Sequence, residues 1–215
     1  MRRDICLLGL FLLFSFFFSF PFVKANRPLA DKVFVIDPGH GGVDPGSVVD
    51  FVYEKDLNLK ISRALKSELS DLGATVYLTR DGDYDLSTPG AYMRKKSDFD
   101  HRISFINQSQ ASYYLSIHLN YLNDSSYFGP QVFYSLAREE NKNLALRMQR
   151  VLNQELKTSR ESKKMASTLY MYQKLKVPGV LIECGFLSNS KERKLLQQEK
   201  YVKNLAQVIA KSFLP

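Results

Sequence analysis

The stretch at residues 33–46, VFVIDPGHGGVDPG, constrains the fold more than any other part of the chain. Four apolar residues of β-branched and aromatic type predict a buried strand, and Asp37-Pro38-Gly39 predicts a turn directly after it. His40 follows that turn, and the glycines around it leave room for other groups to approach its imidazole. A histidine at the carboxyl edge of a sheet is typical of a ligand site. The alternative is a glycine-rich loop with a surface histidine.

Strand and helix patterns alternate along the rest of the chain. Apolar residues recur every three to four positions from Glu54 until Gly73, which predicts an amphipathic helix, and residues 74–79 predict a parallel strand after it. Further strands are predicted at 113–119, 131–135, 168–172 (an edge strand) and 180–182, and helices around 102–106, at 141–156, 192–198 and 201–213. The sequence therefore predicts a single-domain, three-layer α/β/α fold with a mostly parallel sheet.

The first 25 residues differ from the remainder. Two arginines precede an apolar run of 19 residues from Ile5 to Val23, and small or aliphatic residues end at Ala25. This pattern predicts a signal peptide cleaved after Ala25, or alternatively an uncleaved membrane anchor through residues 5–23. Either reading puts the domain at residues 32–214 outside the cytoplasm.

Charge and cysteine content narrow the classes of partner. Residues 1–25 hold three basic residues and one acidic residue, so without them the formal charge falls from +8 to +6. A basic exported domain suits an anionic surface such as wall polymer, whereas scattered basic residues without a binding motif argue against nucleic acid. The two cysteines are Cys6, in the export segment, and Cys184, so no internal disulfide is expected. Cys184 is predicted to be a small buried hydrophobe.

Three polar residues are predicted at the carboxyl ends of apolar strands: His40, His118 and Glu183. Ligands bind at this edge of open α/β sheets, and a buried, unpaired glutamate is costly. Each residue alone has a structural interpretation, as a cap, a histidine bonded to a carbonyl or a glutamate paired with a basic residue. Together they favour a functional site.

Four motifs occur together in a fixed order along the chain. They are Asp37-Pro38-Gly39-His40-Gly41-Gly42, Glu54 at the start of a helix, Ser116-Ile117-His118-Leu119-Asn120, and residues 182–189, IECGFLSN. With these motifs the chain resembles the zinc-dependent N-acetylmuramoyl-L-alanine amidases of bacterial cell walls, over residues 32–214. The resemblance implies peptidoglycan as the substrate, a phosphorylase/hydrolase-like fold, and a location in the cell wall or the forespore intermembrane space.

The resemblance also assigns roles to individual residues. It implies one zinc ion per chain, bound by His40, Glu54 and His118, with Glu183 as the acid/base residue. Such a ligand set leaves a coordination position for water. Asn120 lies on the same side of its strand as His118. It either contacts the substrate or a metal ligand, or it caps the following loop.

Two segments point to a branch of this family. Residues 121–128 are too few for the long inhibitory insertion of septation amidases, and residues 81–96 are similar to the insertion of sporulation amidases. That branch implies removal of peptides from muramic acid in spore cortex, before muramic δ-lactam forms, and it leaves room for an accessory exported protein. The alternatives are a general vegetative wall amidase, a zinc peptidase that cuts within the stem peptide, and a non-catalytic wall-binding protein.

Overall fold

The structure, a computed structural model, describes residues 27–215, so the predicted export segment lies outside the described residues. None of the helices in that range combines the length and hydrophobicity that crossing a membrane requires. The strands are β1 Val33–Pro38, β2 Val48–Val49, β3 Val52–Tyr53, β4 Thr75–Leu78, β5 Tyr113–Asn120, β6 Gln131–Tyr134, β7 Lys163–Lys164 and β8 Gly179–Phe186. The helices are α1 Glu54–Asp71, α2 Arg94–Gln108, α3 Glu139–Leu156, α4 Tyr170–Lys174, α5 Ser190–Leu196 and α6 Glu199–Lys211.

Six of the strands form one sheet in the order β4-β1-β5-β8-β6-β7. The four strands from β4 to β8 are parallel, β6 runs antiparallel to β8, and β7 is parallel to β6. Strands β2 and β3 make a separate small hairpin directly before α1. This arrangement confirms the predicted α/β fold with a mostly parallel sheet.

Helices cover both faces of the sheet. Apolar residues of α1, α3 and α6 share one core cluster with one face of the central strands, and Ile106 of α2 and Met171 of α4 belong to a second cluster on the other face. The central strand β5 contributes to both, since Leu115 lies in the first cluster and Tyr114 in the second. Residues 115–120 alternate apolar and polar residues, and the apolar ones, Leu115, Ile117 and Leu119, all pack into the first cluster.

The prediction of an edge strand at residues 168–172 is wrong. Those residues enter α4, where the neighbouring side chains of Met171 and Tyr172 are both buried, and Leu175 is buried shortly after. Adjacent buried residues fit one side of a helix, whereas a strand would direct them to opposite faces. The edge strand is instead β7, which consists of two exposed lysines between α3 and α4 and pairs with β6.

Two central strands extend beyond the turns predicted for them. β1 includes Asp37 and Pro38, and the backbone N–H of Gly39 still donates to the carbonyl of Ile117 at 2.9 Å. β8 continues through Glu183 to Phe186, so Glu183 lies within the strand and not at its end. The extension is stabilised by the Glu192 carboxylate, which accepts the backbone N–H of Phe186 at 2.7 Å.

Candidate metal centre and active site

Three side chains that are far apart in the sequence meet at the carboxyl ends of the central strands. His40 follows β1, Glu54 is the first residue of α1, and His118 lies near the end of β5. His40 Nε2 and His118 Nδ1 each lie 3.1 Å from the same oxygen, Glu54 Oε1. One donor atom from each of the three residues lies within 4.8 Å of the others. The structure therefore brings together the three residues predicted to bind a metal.

The surrounding backbone fixes the carboxylate of Glu54. Oε2 accepts the N–H of Ser47 at 2.8 Å, and Oε1 accepts the N–H of Leu119 at 3.2 Å. Gly46 has a positive φ of 67°, and a Cβ at this position would lie 2.6 Å from Oε2. A larger residue at position 46 would displace the carboxylate, so the glycine is required for the close packing here.

The second nitrogen of His40 also has a partner. Its Nδ1 lies 3.1 Å from Asp44 Oδ2, and this contact orients the ring so that Nε2 points at Glu54. Burial alone would lower the pKa of His40, but hydrogen bonds and charges from Glu54 and Asp44 raise it above its ordinary value. A carboxylate on the outer nitrogen is a frequent companion of a metal-binding histidine.

Electrostatics at the three residues favour a cation. Burial raises the pKa of Glu54, but the hydrogen bonds and charges of His118 and His40 outweigh burial and lower it well below its ordinary value. The carboxylate is thus ionised and faces two imidazole nitrogens. Two nitrogens and one carboxylate oxygen directed at one point fit a divalent cation, and they match the donor set of catalytic zinc sites.

Glu183 lies in the same cleft as the two histidines. The cleft has a volume of about 280 Å³. Oε2 of Glu183 is buried and has no hydrogen-bond partner among residues 27–215. Burial and the negative charge of Glu54 raise its pKa to about 8, although His40 opposes the shift. A carboxyl group with a pKa near neutrality is suited to accept and donate a proton.

Asn120 is not one of the residues that line this cleft. The residues that line the cleft are Asp37, Gly39, His40, Asp44, Lys95, Asp98, Phe99, Arg102, His118, Leu169, Met171, Tyr172, Leu181 and Glu183. Asn120 ends β5, where the pairing with β8 shifts register, and its carbonyl accepts the N–H of Leu187 at 2.8 Å. This position fits the alternative of a loop cap, and a role in substrate binding stays a prediction.

The glycine-rich turn is held by a buried ion pair that the sequence did not reveal. Arg102 Nη1 donates to Asp37 Oδ1 at 2.7 Å and to the carbonyl of Pro38 at 2.8 Å, and Nη2 donates to the carbonyl of His40 at 2.8 Å. Despite its burial, the pKa of Asp37 is lowered by the Arg102 charge and by the hydroxyl of Thr79. Asp37 therefore supports the turn that carries His40. The only sequence signal was an arginine in an otherwise ordinary amphipathic helix.

Residues 81–96 pack against the same turn. Asp83 accepts the N–H of Gly42 at 2.8 Å and the ammonium of Lys55 at 2.7 Å. At the other end of the segment, Lys95 Nζ lies 3.2 Å from Asp44 Oδ2 at the border of the cleft. This insertion thus borders the candidate site, and the sequence alone did not place it there.

Two further residues have no role in the site. Cys184 is fully buried, and burial raises the pKa of its thiol well above the ordinary value, so it is not a nucleophile. His101 is exposed on α2, with Nδ1 2.8 Å from the carbonyl of Ser97.

Comparisons with known proteins give a consistent result. The sequence model of the family described as N-acetylmuramoyl-L-alanine amidase matches residues 34–214. The germination-specific N-acetylmuramoyl-L-alanine amidase of Bacillus subtilis (strain 168) is 37% identical over 217 residues, which cover 97% of this chain and 91% of that protein. The CwlD amidase of Clostridioides difficile, solved in complex with the GerS lipoprotein, superimposes with a TM-score of 0.79 at 35% identity, over 84% of this chain and 95% of that one. An N-acetylmuramoyl-L-alanine amidase from Clostridium difficile 630 gives a TM-score of 0.74 at 30% identity, over 84% and 94%.

Proposed function

Because the chain belongs to the N-acetylmuramoyl-L-alanine amidase family, we propose that it is a zinc-dependent member that removes stem peptides from muramic acid in spore cortex. The membership itself establishes a peptidoglycan amidase, which hydrolyses the amide between the lactyl group of N-acetylmuramic acid and L-alanine. The main support for zinc is that one potential ligand atom from each of His40, Glu54 and His118 lies within 4.8 Å of the others. When bound there, zinc supplies Lewis acidity, which polarises the amide carbonyl and lowers the pKa of water.

Glu183 is the proposed acid/base residue. Its Oε2 is buried in the cleft and has no hydrogen-bond partner in the described part of the chain, so it is available to a water molecule or to the substrate amide. It takes a proton from the attacking water and passes this proton to the nitrogen of L-alanine as the carbon–nitrogen bond breaks. The products are a free lactyl carboxylate on the glycan and a peptide with a free amino terminus.

Two observations support spore cortex as the substrate. The Bacillus subtilis relative at 37% identity is named germination-specific, and nearly its whole length aligns. The insertion at residues 81–96 also packs beside the candidate site and contributes Lys95 to the cleft. On this proposal the amidase step exposes the muramic acid carboxylate from which δ-lactam is made.

Export and a partner protein belong to the same proposal. Residues 1–25 direct the chain out of the cytoplasm, as a cleaved signal peptide or as an anchor. This fits the proposed substrate, because peptidoglycan lies outside the cytoplasm. An accessory exported protein is supported by the similarity to CwlD, whose structure was solved with the GerS lipoprotein.

Product analysis tests the reaction. Purified peptidoglycan is incubated with the protein, and the released peptides are identified by mass spectrometry. Peptides that begin with L-alanine, released only while zinc is available and not after chelation, are expected. Peptides with another amino terminus would instead indicate a peptidase.

Complementation tests the cortex role. The gene is expressed in a Bacillus subtilis strain that lacks its germination-specific amidase, and muramic δ-lactam in the spores is measured. Restored δ-lactam is expected from the wild type and not from Glu183→Gln, while Glu155→Gln serves as the matched control because Glu155 is an exposed residue that pairs with Lys211. Peptide release in vitro without δ-lactam in spores would favour a vegetative amidase.

A further inference from the structure

Arg80 is a fully buried arginine beside the candidate metal centre. It lies two residues beyond β4, and its relative exposure is 1%. Its guanidinium donates to four backbone carbonyls: Nε to Pro38 at 3.0 Å, Nη2 to Gly39 at 2.9 Å and to Lys55 at 2.8 Å, and Nη1 to Gly82 at 2.9 Å. Burial of a charge is costly, so these contacts must offset a large loss of hydration.

The environment of Arg80 differs from that of the neighbouring buried arginine. Arg102 pairs with the carboxylates of Asp37 and Asp98. Around Arg80, all four hydrogen bonds among residues 27–215 go to backbone carbonyls, and burial and the Arg102 charge lower its pKa. The charges of Asp37, Asp83 and Asp56 oppose this fall, but Arg80 forms no direct salt bridge within residues 27–215. Its hydrogen bonds instead hold separate backbone segments together.

The carbonyls that Arg80 binds belong to the segments that carry two proposed ligands. Pro38 and Gly39 directly precede His40, and Lys55 directly follows Glu54. One planar group thus connects the turn after β1 with the first turn of α1. The Gly39 carbonyl also accepts the amide of Asn58 at 3.2 Å, which reinforces the same connection from α1.

We propose that Arg80 is a positioning residue of the metal centre, holding the backbones of His40 and Glu54 at the spacing that a cation requires. This inference rests on the zinc site proposed above. A lysine cannot take over the role, because its ammonium is a single point of donation and the guanidinium is a fixed planar fork that reaches several acceptors at once. The residue acts through the backbone and does not touch the substrate.

Metal binding tests the inference directly. Zinc affinity is measured by competition with a chromogenic chelator for the wild type, Arg80→Lys and Arg80→Gln, and the visible absorption of the cobalt-substituted proteins is recorded. Mutation of residues that hold metal ligands in place typically weakens metal affinity by about 10–100-fold. We expect a loss of zinc affinity of this size, together with an altered cobalt spectrum, for both variants.

Leu152→Ala is a control for the effect of lowered stability alone on zinc binding. Leu152 is fully buried in α3, which packs against β6, β8 and α6, and none of these elements carries a proposed metal ligand. The variant is destabilised by a core cavity, and once folded it is expected to bind zinc with wild-type affinity. Loss of affinity in Arg80→Lys but not in Leu152→Ala separates positioning from general stability.

Each outcome decides one claim. If the wild type binds no zinc, the proposed zinc site fails. If the wild type binds zinc and the two Arg80 variants bind it equally well with an unchanged cobalt spectrum, the positioning role is overturned. If neither variant folds, with or without zinc, Arg80 is required by the fold as a whole and the specific role is equally overturned.

Discussion

His118 and Glu183 lie directly opposite one another in the parallel pairing of β5 with β8. Residues paired in this way project to the same face of a sheet, so the register of two strands sets the relation between a proposed zinc ligand and the proposed acid/base. A slip of one residue would turn Glu183 to the other face. The register shift between the two strands comes only after His118, and it leaves this pair intact.

Glu183→Gln is expected to abolish most of the activity. The amide keeps the shape of the carboxyl group but cannot take a proton from water, so peptide release should fall about 10²–10⁴-fold. Zinc content and the circular dichroism spectrum should stay as in the wild type. The measurement is the initial rate of peptide release from peptidoglycan, with Glu155→Gln as control. A wild-type rate in Glu183→Gln would remove this residue from the mechanism.

Removal of zinc is expected to lower the thermal stability. A ligand present at 100 times its dissociation constant stabilises the folded state by about 2.7 kcal/mol, which for a domain of this size corresponds to roughly 5–10 °C in Tm. Calorimetry with added zinc and with a chelator measures the difference. Glu54→Gln weakens the site, because it replaces the ionised carboxylate between the two histidines, and its Tm should not respond to zinc. An equal response in both proteins would place the ion elsewhere.

The stability of the metal-free protein is expected to depend on pH through Glu183. In the folded state its pKa is raised to about 8 from an ordinary value of 4.5, so between these values the folded state holds a proton that the unfolded chain has lost. This contribution is fully present below pH 4.5 and is lost as pH rises toward 8, by at most about 1.4 kcal/mol per pH unit.

Comparison with Glu183→Gln isolates that effect from the other titrating groups. Urea unfolding at pH 5, 7 and 9 in the presence of a chelator gives the free energy of unfolding of both proteins. The variant should gain stability relative to the wild type as pH rises. A difference that stays constant with pH would mean that the carboxyl of Glu183 titrates normally.

The sequence predicted the central strands and the convergence of polar residues well, for identifiable reasons. Short apolar runs such as residues 34–36 and 180–182 predict buried strands from local sequence alone, and these residues are buried. Glu54 is recognisable because the helical spacing of apolar residues begins there. Parallel strands then bring their carboxyl ends to one edge by geometry alone. The roles of the individual residues came from the resemblance to the amidases.

The parts that failed depend on contacts that are distant in sequence. β7 is a strand only because β6 offers it backbone partners, and its two lysines give no local signal. The ends of β1 and β8 are set by hydrogen bonds across the sheet and from Glu192. Apart from the Gly82 carbonyl, the carbonyls that Arg80 and Arg102 bind lie 25 to 64 residues away, and the sequence next to either arginine gives no signal of these contacts.

Arg102→Gln is expected to be one of the more destabilising single changes. It leaves the buried carboxylate of Asp37, which is 2% exposed, without its cation and removes the donor to the carbonyl of His40. Loss of one partner of a buried ion pair costs about 3–5 kcal/mol. Urea unfolding at pH 7 measures the loss. Lys211→Gln is the control, since the Lys211–Glu155 pair is exposed and should contribute less than about 1 kcal/mol.

A double variant distinguishes loss of the pair from loss of packing. If the cost of Arg102→Gln comes from the uncompensated charge of Asp37, then Asp37→Asn in the same chain should recover part of it, because no carboxylate remains to be neutralised. The coupling between the two changes should be about 0.5–3 kcal/mol. Strict additivity of the two single changes would mean that Arg102 stabilises the protein through Asp98 and through the carbonyls of Pro38 and His40, and not through Asp37.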